Sequence, residues 1–413
     1  MPIRSNIAWV DFHPEDMRSA RTLIREFQEE GLLDELGFGV LQNAIADRLY
    51  PATSTIMTAS RYLFFLPAIY EYLEHERTPS QDIEEAARAK QNQLREVLKQ
   101  TEGPNRGVIG FQAGQELKRP PSNIYWNGMR RLGLFRRNWS ESTYYARLDQ
   151  LHAESELHAD DDGALYGKAE SEAIWDRKRP TPAFLDTKGN FKPNTDFRLT
   201  RSEAQELLQR FATFFPDSLL TYLVQHRIPE LSYPWALPRP PASLLRVLRH
   251  ARALSALAQG VTIQYYALLL EALSARQRST PDVELEEAFA RWEQEARPVL
   301  EGWDLEEFFS TDFLCAAQRS GDCAFLTSWR EVALASPNAS SLFRSERGRR
   351  LVRDRELRVK PYKARLKYPA YLEAWNPAFL SQGSLQEYGL FYRHRVGQRF
   401  VREIIQGLEE GRA

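Results

Sequence analysis

Cysteine is nearly missing. The 413 residues hold two, Cys315 and Cys323. Two cannot build a disulfide framework, and no CxxC pair is present. Lysine is scarce as well, ten of the 55 basic residues, which leaves 45 arginines. Arginine forks carboxylate and phosphate groups bidentately and holds water less tightly than lysine. That suits interfaces and phosphates, although a GC-rich genome gives the same bias. Long apolar runs are missing too. The longest stretch, near Tyr62–Tyr70, falls short of the roughly 20 residues a membrane span needs. The opening Met1-Pro2-Ile3-Arg4-Ser5-Asn6 lacks an apolar signal core. The expectation is a cytoplasmic protein with no membrane partner. Excess charge of one sign is also lacking. With 55 basic against 56 acidic residues the net charge is −1, so a nucleic-acid surface would have to be a local patch.

What is present reads as a globular, mainly α protein. Apolar residues make up 43% and charged residues 27%, which excludes a disordered or collagen-like chain. Met17, Ala20, Leu23, Ile24 and Phe27 recur at helical spacing. A second helix is expected from about Val40 to Leu49, ended by Pro51. Thr53-Ser54-Thr55 is expected to open a strongly apolar helix running to about His75. Thr200 with Glu203 forms a capping-box pattern ahead of Leu207 and Phe211. A long helix is expected from Ser243 to about Arg276, interrupted near Gly260. The expected organisation is a multi-domain helical protein: an N-terminal helical domain over 1–102, a small module over 103–140, an irregular acidic linker over 141–198, a helical body over 199–340 and a basic region over 341–413.

The 103–140 module carries the first candidate site. Pro120-Pro121 is followed by Ser122-Asn123-Ile124-Tyr125-Trp126-Asn127-Gly128-Met129-Arg130-Arg131-Leu132-Gly133. Ser122 can cap a helix that stops near Gly133, and the spacing matches a helix-turn-helix or winged-helix module. Asn123, Asn127, Arg130 and Arg131 are placed to face a groove, since Arg reads guanine edges and Asn reads adenine. Lys118 and Arg119 would sit near a phosphate, and Arg136 and Arg137 are further DNA-binding candidates. From Thr101 to Ser140 seven basic residues stand against two acids. A structural helical hairpin explains the same pattern.

The second candidate is the basic C-terminal region. Between Ser341 and Ala370 eleven basic residues face three acids. Arg349, Arg350, Arg353, Lys360, Lys363, Arg365 and Lys367 are its candidate contacts. Such a block needs neutralisation by phosphate, by an acidic partner or by acids of the same chain. Pro361-Tyr362-Lys363 suggests an extended arm.

Catalytic patterns are few. GxxxxGK[ST], HExxH and HxK pairs are all missing. Glu116-Leu117-Lys118 and Asp186-Thr187-Lys188 are bare acid-x-Lys triplets without an upstream Asp on a strand. His152 and His158 beside Asp160–Asp162 are the only metal-like grouping, and acidic loops usually just solvate. The expectation is no catalytic residue, no metal and no cofactor.

Several segments together carry a resemblance. They are Ser5-Asn6-Ile7-Ala8-Trp9-Val10-Asp11-Phe12, Asp34-Glu35-Leu36-Gly37, Tyr50–Tyr62 (YPATSTIMTASRY) and Pro121–Arg131. The chain resembles an uncharacterised bacterial family, a domain of unknown function. The resemblance implies genes beside helicases and phospholipase-D-like nucleases in anti-phage or DNA-modification islands, and supplies no catalytic residues. Arg61 is expected to pair with Asp11, Asp34 or Glu35. The leading expectation is a non-enzymatic DNA-binding or adaptor subunit, with duplex DNA and a helicase or nuclease of the same system as partners. The alternatives are a scaffold that touches no nucleic acid, and a nuclease-type enzyme with a spatially assembled site.

Overall fold

Apolar residues at helical spacing, with few β-branched runs, dictate a helical architecture, and the computed structural model is helical. It describes residues 35–103, 107–112, 117–159, 174–176, 184–312, 314, 316–377, 380 and 389–410. Among these residues fifteen α-helices form and no strand. The expected helix over Pro14–Glu30 and the segment Ser5–Phe12 lie outside the described residues.

The chain forms two compact units, each discontinuous in sequence. The larger holds 43–252 with 391–413, and the smaller holds 1–42 with 253–390.

The larger unit is built on α1 (Gly39–Leu49), which begins in the smaller unit, and on α2 (Tyr62–His75), α3 (Ile83–Glu102), α4 (Pro121–Arg131), α5 (Glu141–Ala159), α6 (Arg201–Phe214), α7 (Leu219–Gln225), the start of α8 (Ala242–Ser274) and α15 (His394–Glu409). Helix α2 is its centre, with Leu63, Phe64, Phe65, Leu66, Ile69 and Tyr70 buried. The ring of Tyr70 stacks on Trp175 at 5.5 Å and 5°, and Trp126 and Phe135 close the cluster at 4.8 Å. Such pairs add about 0.5–1.5 kcal/mol each beyond buried area. Trp175, Phe184, Phe191 and Phe197 are all buried, so the expected linker supplies core. It also opens with the 19-residue helix α5. The capping box at Thr200 and Glu203 forms as expected.

Helix α2 starts at Tyr62, not at the Thr-Ser-Thr triplet. Residues 50–61 form a loop instead, because side chains far along the chain satisfy its backbone. Ala52 sits at φ 57°. The Tyr125 hydroxyl accepts from Thr58 N–H and donates to the Ala59 carbonyl, both at 2.8 Å. The N–H and hydroxyl of Ser60 both donate to Glu403 at 2.7 Å. Arg61 pairs with Asp196 at 2.8 Å and with fully buried Glu203 at 3.0 Å. Those are its partners in place of the expected Glu35, which lies in the smaller unit; Asp11 and Asp34 lie outside the described residues. Gly397 of α15 lies flat against Tyr50, where a Cβ would come within 2.0 Å of the ring.

His394 fixes the other side of this loop. Its Nε2 lies 3.0 Å from the Leu231 carbonyl and its Nδ1 lies 2.7 Å from the Tyr50 hydroxyl. A carbonyl only accepts, so Nε2 carries the proton and Tyr50 donates to Nδ1. Burial pushes the imidazole below its ordinary pKa of 6.5, and the neutral form is the one this arrangement needs.

The smaller unit contains the rest of α8, then α9 (Leu285–Glu301), α10 (Leu305–Ser310), α11 (Ala316–Ala335), α12 (Ala339–Phe343), α13 (Glu346–Val359) and α14 (Pro369–Glu373). Helix α8 is continuous through Gly260, because that glycine gives Trp292 room. A Cβ there would lie 2.2 Å from the indole, whose N–H donates to the Ala256 carbonyl at 2.8 Å. Helix α8 is also the one helix among the described residues apolar and long enough to cross a membrane, and 78% of that stretch is buried inside the protein. Within the core, Gln264 accepts from the Trp329 indole N–H at 3.1 Å and donates to the Leu342 carbonyl at 3.1 Å.

Candidate nucleic-acid interface

The sequence of α4 decides its two faces. Pro121 takes the first helical position, where no N–H is required. Ser122 lies inside the helix and is buried, and its N–H donates to Gln91 at 2.8 Å, so it is not the cap. Tyr125, Trp126 and Met129 point into the core, and Asn123 and Asn127, one helical turn apart, are exposed. Lys118 precedes them, exposed and without an ion-pair partner among the described residues, and Arg119 is half-buried.

The arginines after Asn127 differ from one another. Arg130 is half-buried and holds Asn138. Arg131 pairs with Asp47 at 3.0 Å and covers the Phe215 ring at 5.0 Å. Arg136 pairs with Asp176 at 2.6 Å, an acid it shares with Arg210. Arg137 is exposed, with its guanidinium 5.9 Å from the Trp139 ring centre. Arg147 of α5, which the sequence did not suggest, approaches the same ring at 4.9 Å. Trp139 is half-buried, and its carbonyl accepts from the Trp126 indole at 2.9 Å. Asn123 and Asn127 thus lie on an 11-residue helix, Lys118 stands just before it, and the Trp139 group is folded back beside Trp126 after the turn at Gly133.

The basic C-terminal segment is arranged differently. Residues 346–359 form helix α13, and Pro361–Lys363 lies in the turns that follow it rather than in an extended arm. Arg355 is buried against Asp322 at 2.6 Å and donates to the Leu36 and Gly37 carbonyls at 2.6 and 3.0 Å. Glu356, fully buried, accepts from the Tyr265 hydroxyl at 2.6 Å and from the N–H groups of Arg365 and Leu366 at 2.8 and 3.1 Å. Lys360 and Arg365 both hold Glu35. Arg349 holds Glu271, Arg344 pairs with Glu286 at 2.9 Å, and Arg353 reaches Glu346 only at 3.8 Å. Lys367 covers the Tyr368 ring at 5.2 Å. Arg350 and Lys363 are exposed with no ion-pair partner among the described residues. Acids of the same chain supply most of the neutralisation.

The other sequence candidates bring no catalytic constellation together. Asp186 accepts from the N–H groups of Asn190 and Lys188 at 2.9 and 2.8 Å, and these bonds hold its carboxyl below the ordinary range; the triplet is a turn. Glu116, Asp160–Asp162 and Cys315 lie outside the described residues, as does the side chain of His158. No group of three His, Cys, Asp or Glu residues is placed to hold a metal among the described residues.

One charged surface escaped the sequence reading. No acid occurs from Leu231 to Leu270, between Glu230 and Glu271. This window holds Arg239, Arg246, Arg249 and Arg252, all exposed and all without an ion-pair partner among the described residues. Counting basic residues did not find it, because four arginines in 40 residues is not dense. The missing acids are the signal.

These features define a helical, arginine-rich protein with exposed basic surfaces. The chain belongs to a family of unknown function, DUF6361, which matches residues 4–406. No curated protein and no solved structure matches it.

Proposed function

We propose that the chain is a non-enzymatic DNA-binding subunit that lays α4 along duplex DNA, as the recognition helix of a helix-turn-helix-like module. It acts as an adaptor in a multi-protein bacterial system for anti-phage defence or DNA modification. The supporting observation is the Arg137–Trp139–Arg147 group beside α4, together with the exposed Lys118, Asn123 and Asn127. Among the described residues Asp47 and Asp176 are engaged by arginines, and Glu141 by the hydroxyls of Tyr70 and Tyr145 at 2.8 and 2.7 Å. Titration of labelled duplex DNA at several salt concentrations tests this reading. The double variant Arg137→Ala with Arg147→Ala removes two phosphate-binding side chains and lowers the log–log salt slope by about 1.8, at about 0.9 per phosphate. An unchanged slope would reject α4 as the interface.

The scaffold reading draws on a different observation, the internal neutralisation of the basic segment by Glu35, Glu271, Glu286 and Asp322. On that reading a helicase or nuclease of the same system stays bound after nuclease treatment of the lysate.

A further inference from the structure

We infer that the acid-free window carries a second surface, separate from α4, that binds single-stranded nucleic acid. It combines an aromatic platform with a row of bare arginines.

The platform is the turn at Tyr233–Ala236. Tyr233 and Trp235 stack with centroids 5.4 Å apart and planes within 5°. Tyr233 is nevertheless 48% exposed. The turn is held from below. Leu231 donates its N–H to Gln398 at 3.3 Å and its carbonyl accepts from His394 at 3.0 Å. Pro234 is buried, and the edge of Trp235 meets the Tyr392 ring at 6.4 Å and 80°.

Tyr392 touches Trp235 of the platform and the backbone of the helix that carries the arginines. It is fully buried, and its hydroxyl donates to the Ala251 carbonyl at 2.7 Å. Ala251 lies on α8 between Arg249 and Arg252. Arg246, Arg249 and Arg252 are each three residues apart, so they follow one another at about 4.5 Å of helix rise. Arg239 stands at the entry to the helix, exposed, at φ 52°.

This combination selects its partner. Unneutralised arginines attract a polyanion. A coplanar, partly exposed ring pair adds a flat apolar face, which unpaired bases cover by stacking without regard to sequence. Duplex DNA keeps its bases stacked inside and offers this platform nothing. An acidic protein would use the arginines and not the rings. Single strands use both.

The test is fluorescence anisotropy of the full-length chain with a labelled oligothymidine of about 20 nucleotides and with a duplex of equal length, across several salt concentrations. The triple variant Arg246→Ala, Arg249→Ala, Arg252→Ala lowers the single-strand salt slope by about 2, at about 0.7 per phosphate, with thermal melting unchanged. Tyr233→Ala weakens oligothymidine binding about tenfold and Tyr233→Phe restores it. Arg137→Ala with Arg147→Ala leaves single-strand binding intact, so failure here and failure of the α4 reading are told apart. Unchanged oligothymidine binding in the triple variant would overturn the inference. A loss in the triple variant with none in Tyr233→Ala overturns the stacking assignment. Polyglutamate competing as well as oligothymidine would overturn it in favour of an acidic protein partner.

Discussion

Two arginine-bearing regions behave in opposite ways. The segment from Arg344 to Lys367 is dense in charge and largely quenched, its groups tied to acids from distant parts of the chain. The start of α8 is sparse in charge and bare. Charge density along a chain therefore does not measure availability. An arginine that covers a phenyl ring and feeds backbone carbonyls, as Arg355 does, is a packing element with a charge on it. An arginine with no acid within reach attracts anions from solution.

Substitutions separate the two kinds. Arg355→Met has the largest effect. It strands Asp322 and two carbonyls in a buried setting and costs about 3–5 kcal/mol, read by chemical denaturation. If stability holds, the contrast fails at its strongest point. Arg130→Ala with Arg131→Ala is intermediate. It frees Asn138, leaves Asp47 with Arg393 alone and uncovers Phe215, so it costs about 1–2 kcal/mol besides any loss of DNA binding. Thermal melting alongside the titration resolves the two contributions.

A pH series probes the support under the bare surface. Burial depresses the pKa of His394 in the folded state. Above about 6.5 the imidazole is neutral folded or unfolded and its contribution is complete. As pH falls below that value the unfolded chain takes up a proton that the folded chain resists, and stability drops. Melting temperature should decline below pH 6.5, and His394→Gln should flatten the decline; an equal decline in the variant would place the titration elsewhere. Arg350→Ala has the smallest effect, within about 0.5 kcal/mol of the parent, because it has no ion-pair partner among the described residues.

The sequence made local features legible. The apolar run of α2, the break at Pro51 and the Thr200–Glu203 box are each set by residues a few positions apart, and each appears in the structure. Features set at long range were not. The Thr-Ser-Thr triplet has the chemistry of a helix cap, yet Tyr125, Arg393 and Glu403 hold its neighbourhood in a loop. Gly260 reads as a helix break until Trp292, 32 positions on, is seen to occupy the space. Arg61 takes Glu203 rather than a nearer acid because α6 carries that carboxylate into the core. For the candidate site, the two exposed asparagines of α4 were readable from spacing, whereas Arg147 and the α8 row were not. Their role depends on which acids are missing around them, and no spacing rule reports that.

The order in which the larger unit is made has a consequence of its own. Ser60 and Tyr50 depend on Glu403 and His394, which lie 343 and 344 positions downstream. A ribosome adding about 5–20 residues per second needs about 17–70 seconds to supply them. During that interval the whole of 253–390 emerges while the loop at 50–61 still lacks its final partners. The larger unit is thus closed last by its own C-terminal helix, and a nascent chain arrested before α15 carries an open core that chaperones can recognise.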